Sequence, residues 1–69
     1  MNFATKVKMA LAYLGISEAE LARRIDTSPQ AFHQRMKTGK WSDDDRNKIA
    51  EALGCQLVTE LRFPDGTVI

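Results

Sequence analysis

The chain has 69 residues, 43% of them hydrophobic and 28% charged, a length for one small domain and a balance that excludes a disordered polar chain. A single cysteine, Cys55, excludes an internal disulfide and a cysteine-based metal cluster, and no apolar run approaches membrane-spanning length. The formal net charge of +1 excludes a uniformly basic chain, yet it conceals an uneven distribution.

Met1 to Lys40 carries seven basic residues against Glu18, Glu20 and Asp26, a net of +4, whereas Trp41 to Ile69 sets Arg46, Lys48 and Arg62 against six acids. Chance in a short chain and one electropositive face both account for this, and charge alone does not choose between them. The opening MNFATKVKMALAYLG lacks a signal-peptide core, so a cytoplasmic protein is expected.

Phe3, Val7, Ala10, Leu11 and Leu14 recur at helical spacing, and Gly15 follows as a C-terminal cap. Ser17-Glu18-Ala19-Glu20 has the pattern of a capping box, with Ile16 and Leu21 as a hydrophobic staple. The second helix is short and over by Asp26, with Leu21, Ala22 and Ile25 as its buried stripe. Ser28 then caps a third helix with Pro29 at its first position, where the missing N–H costs nothing. Phe32 and Met36 form its apolar edge and Gly39 stops it. Ser42 and Asp43-Asp44-Asp45 start a fourth helix, whose dipole favours the three carboxylates. Ile49, Ala50 and Leu53 face inward, Gly54 ends it, and Trp41 is expected over Met36 and Ile49.

After Gly54 the period changes from about 3.6 to 2. Cys55, Leu57, Leu61 and Phe63 fall on one face of a predicted strand, with Cys55 expected as a buried thiol. Pro64-Asp65-Gly66 is a turn signal, after which Thr67-Val68-Ile69 can return as a second strand.

Two short helices joined by a brief turn have the geometry of a helix-turn-helix. On ISEAELARRIDTSPQAFHQRMKTGKWS followed by IAEALG, the chain resembles the Cro/C1-type (XRE-like) family of phage and bacterial transcriptional regulators. The resemblance covers roughly the first 54 residues, and no single residue in it is diagnostic. It implies a mainly α fold, a four-helix Cro/C1-like helix-turn-helix domain. A C-terminal β-strand or β-hairpin over residues 55–69 is part of the same domain. The chain departs from the family pattern at Asp26, where the turn usually has glycine, and at Glu18, where a phosphate-bridging glutamine is common.

Carried over by position, the base-reading residues implied are Pro29, Gln30, His33 and Gln34, on a recognition helix about Ser28–Thr38. A glutamine amide pairs with both N6–H and N7 of adenine, His33 can donate to a guanine acceptor, and Pro29 offers an apolar contact. A neutral solvated surface is the other reading of the two glutamines. Thr27, Ser28, Lys37 and Lys40 lie where family members grip phosphates. Family contacts near the start of the fourth helix meet repulsion from Asp43, Asp44 and Asp45. Arg23, Arg24 and Arg35 have acids within reach on their own or neighbouring helices.

Nothing points to catalysis, and no cofactor, metal or small-molecule substrate is implied. The partner expected is double-stranded DNA, as a palindromic operator bound by a homodimer, with no membrane involved. Leu57, Leu61 and Phe63 are the expected dimerisation residues, covering a helical face and pairing strands across a two-fold axis. A protein–protein module that kept the fold and lost DNA binding is the alternative. The low net charge, Glu18 and the Asp43–Asp45 run favour that alternative, and the basic first half with Gln30 and Gln34 favours DNA.

Overall fold

Short polar side chains start every helix. The structure, a computed structural model, describes residues 2–69 and consists of α1 (Phe3–Leu14), α2 (Glu18–Arg24), α3 (Pro29–Thr38) and α4 (Asp43–Leu53). Asn2, Ser17, Ser28 and Ser42 are extended N-caps, each accepting from an amide three residues on. Gly15, Gly39 and Gly54 close α1, α3 and α4 in the left-handed region.

The expected reciprocal box at Ser17 forms only by half. The Glu20 amide donates to Ser17 Oγ (3.1 Å), but the Glu20 carboxylate turns to Arg23 and Arg24 instead. Charge-assisted bonds to two guanidinium groups outweigh one to a neutral amide. The complete box is at Ser42, where Asp45 accepts from the Ser42 amide (3.2 Å) and donates its own amide to Ser42 Oγ (3.0 Å).

Between α2 and α3 the chain turns on Asp26, whose φ of 57° makes it the single non-glycine residue with positive φ among those described. The Asp26 amide donates to Arg23 O (3.2 Å) and the Thr27 amide to Ala22 O (2.9 Å), the two bonds of a Schellman motif. Aspartate tolerates this conformation better than most residues.

Leu21, Phe32 and Ile49 are the largest fully buried side chains, joined in the core by Ala4, Val7, Leu11, Ala22 and Met36. α2 packs on both α3 and α4, so one residue from each of three helices meets at the centre. Trp41 packs against the core cluster that includes Met36 and Ile49 and also reaches α1, edge-on to the Phe3 ring at 5.5 Å and tilted against Phe32 at 5.9 Å. The Arg46 guanidinium also lies over Phe3, 5.6 Å from the ring centroid. Leu14, expected inside, is 42% exposed, because the chain leaves α1 one residue later at Gly15.

The C-terminal segment departs most from expectation. No strand forms among the described residues; an isolated antiparallel bridge joins Arg62 and Val68. The turn itself is as expected. Gly66 donates to Phe63 O (3.0 Å), the Thr67 amide to Asp65 Oδ1 (2.9 Å), and Phe63 to Thr67 O (2.7 Å). Leu61 and Ile69 exchange backbone bonds beyond it. None of residues 54–69 is buried, so Cys55 is an exposed thiol near Ala50 O (3.6 Å) rather than a core group. Leu61 and Phe63 are 63% and 48% exposed; they do not cover a helical face. Cys55, Gln56 and Leu57 border an apolar crevice, beside Phe3, Val7, Ala10 and Leu53, and residues 57–60 border a second hollow with Phe3 and Trp41. The radius of gyration, 13.5 Å, exceeds the value of about 11 Å for a compact chain of this length. The tail is a projecting arm.

Candidate nucleic-acid interface

At 3.6 residues per turn, Gln30, His33, Gln34 and Lys37 form one stripe along α3, opposite Phe32 and Met36. Phe32 and Met36 are buried and the four stripe residues are exposed, so burial of the apolar edge turns the polar stripe to solvent. Ser28 and Pro29 are exposed at its N-terminal end, Lys40 is exposed beyond the Gly39 cap, and Thr27 is half-buried in the turn. Pro29, Gln30 and His33 border a shallow depression whose other wall is Glu18 and Ala19 of α2. Trp41, half-buried between Phe3 and Phe32, belongs to the core instead of this face.

The ion pairs sort the basic residues into two groups. Arg23 and Arg24 are held by Glu20, and Arg24 also donates to Ala52 O (3.1 Å). Arg35 crosses from α3 to α4 and meets Asp45 at 2.9 Å. Lys6, Lys8, Lys37 and Lys40 have no ion-pair partner among the described residues. The uncompensated positive charge of the first forty residues is therefore carried by lysines, two of which follow the polar stripe. The acids at the start of α4 are largely engaged within the fold: Asp44 meets Lys48 at 3.2 Å and Asp45 serves the capping box.

The Ser42 amide chiefly holds the Asp45 carboxyl below its ordinary range; desolvation opposes it, and the Ser42 hydroxyl and the Arg35 guanidinium add smaller lowering effects. A carboxyl whose folded value lies below its unfolded one contributes stability above the ordinary carboxylate range. That contribution is lost as pH falls through the folded value. Asp45→Asn should therefore lower stability by about 0.5–1 kcal/mol at neutral pH. In urea melts the deficit should shrink as the wild-type carboxyl protonates; a deficit unchanged in acid would contradict this role.

One contact was not legible in the sequence. His33 Nδ1 of α3 lies 3.5 Å from Glu18 Oε1 of α2, at the outer limit of a hydrogen bond. The two residues are fifteen apart and meet only because the Asp26 turn folds α3 back beside α2. The sequence marks Glu18 as an acid in the first turn of a helix, and nothing local announces its partner. Comparison with protein-family models, curated proteins and solved structures finds no match to this chain.

Proposed function

We propose that the chain is a sequence-specific double-stranded DNA-binding transcriptional regulator. In this reading α2, the Asp26 turn and α3 form a Cro/C1-type helix-turn-helix, with α3 in the major groove. The observation that carries it is the exposed stripe of Gln30, His33, Gln34 and Lys37 on α3. Amides and an imidazole at successive turns offer paired donors and acceptors to base edges, and Lys37, Lys40, Ser28 and Thr27 suit phosphates. A binding-site selection with purified protein near physiological salt should enrich one short motif. Recovery of unenriched sequence would overturn the reading.

The arm supports a second element of this proposal, assembly into a dimer. Leu57, Leu61 and Phe63 are exposed on a segment with a long unpaired edge, which a second copy would satisfy by antiparallel pairing. An isologous pair would set two copies of α3 about 34 Å apart, one turn of DNA. Light scattering at micromolar protein should report twice the monomer mass, and deleting residues 64–69 should reduce both assembly and operator affinity. A monomer that binds a single non-palindromic half-site with full affinity would rule this element out.

The same exposed arm favours the alternative reading, a module that binds another protein through its apolar residues. The site selection separates the two, since that module would enrich no sequence.

A further inference from the structure

Glu18 stands on the face assigned to DNA yet carries the charge that phosphates repel, and it pairs with His33 Nδ1. A carboxylate only accepts hydrogen bonds. The pairing therefore requires a proton on Nδ1, and in a neutral imidazole that leaves Nε2 with a lone pair and no hydrogen. Nε2 makes no hydrogen bond among the described residues, and the His33 side chain is 57% exposed. The acceptor is thus on the part of the ring that remains free.

We propose that Glu18 is a specificity-determining residue that acts through His33 by fixing its tautomer, so that the neutral ring accepts from a base amino group. The inference rests on the DNA-binding reading above. In the major groove the amino groups are N4 of cytosine and N6 of adenine, whereas guanine presents N7 and O6, both acceptors. A neutral His33 held by Glu18 therefore selects cytosine or adenine and disfavours guanine, the opposite of the sense expected from the residue type alone. Glu18 is well placed for this. It occupies the first position of α2, where the Ser17 cap fixes the backbone and the helix dipole favours its charge. Pro29 and Gln30 share the depression that Glu18 and His33 enclose, so the tautomer is set next to the other base-reading groups.

Removing the carboxylate frees the ring to take the Nε2–H form that an imidazole prefers in water, turning an acceptor into a donor. The test uses the full chain and Glu18→Ala, both at about pH 8, above the ordinary imidazole range. Long-range proton–nitrogen NMR of the free protein should show the proton on Nδ1 in wild type and on Nε2 in the variant. Binding-site selection should then show one position per half-site changing from cytosine or adenine to guanine, with a preference of roughly 5- to 10-fold in affinity. Circular dichroism of the variant checks that it remains folded, and Glu18→Asp provides a second carboxylate, shorter by one methylene, should alanine unfold the helix. An Nε2–H tautomer in wild type overturns the proposal even where DNA binding is sequence-specific. An unchanged base preference in Glu18→Ala overturns it as well. No enrichment by wild type would instead bring down the DNA-binding reading, and the base assignment with it, whichever nitrogen carries the proton.

Discussion

Phe32→Ala should remove about 3–5 kcal/mol of stability, enough to leave much of the protein unfolded at room temperature, since a domain this small has little more to lose. Phe32 is fully buried, as are Leu21 and Ile49 from the neighbouring helices, and its ring meets Trp41. Truncation removes the transfer free energy of the ring and leaves a cavity on three sides. Phe32→Leu, which keeps most of the volume, should cost much less. Chemical denaturation followed by circular dichroism measures both. A Phe32→Ala protein with an unchanged midpoint would mean that α3 packs by a different face, and the polar stripe would then no longer face solvent.

The other large effect concerns affinity. Replacing Lys37 and Lys40 together by alanine should weaken binding to every DNA sequence and flatten the dependence of log affinity on log salt by about two units, one for each phosphate left without its ammonium group. Gln30→Ala and Gln34→Ala should behave differently, relaxing preference at one base pair each by roughly 1–3 kcal/mol with the salt slope unchanged. Lys37 and Lys40 have no ion-pair partner among the described residues, so replacing them breaks nothing in the fold and a change in affinity reports on the partner. Fluorescence anisotropy titrations at several salt concentrations separate the two classes. A double lysine variant with the wild-type salt slope would place the phosphates elsewhere.

Apart from the start of α1, which Asn2 caps, the helix boundaries were legible because they are decided locally. Ser17, Ser28 and Ser42 cap amides three residues away, and Gly39 or Gly54 ends a helix whatever lies around it. The polar stripe of α3 was legible for the same reason, since Phe32 and Met36 define the buried edge by spacing alone. Choices among several available partners were not legible. Glu20 had an amide and two arginines within reach, and relative strength decided. Trp41 had three helices to pack on and meets both Phe3 of α1 and Phe32 of α3. Glu18 and His33 meet through a turn whose geometry depends on Asp26 adopting a positive φ. The arm shows a different limit. Alternation in Cys55, Leu57, Leu61 and Phe63 states that two faces differ, but not that this chain holds a surface for the apolar one.

That arm divides the molecule into parts that report separately on unfolding. Trp41 is packed between α1 and α3, so its fluorescence follows the loss of the helical body, and it shares a hollow with residues 57–60 but not with residues 61–69. With no buried side chain beyond Leu53 and a single bridge, the backbone amides of the arm can open without disturbing the core. They should exchange with deuterium at rates set by local fraying rather than by global stability. Slow exchange at Glu60 and Arg62, whose amides make no bond within the hairpin as those of Leu61, Phe63 and Ile69 do, appearing only as protein concentration rises, would be the signature of a second copy closing over that edge.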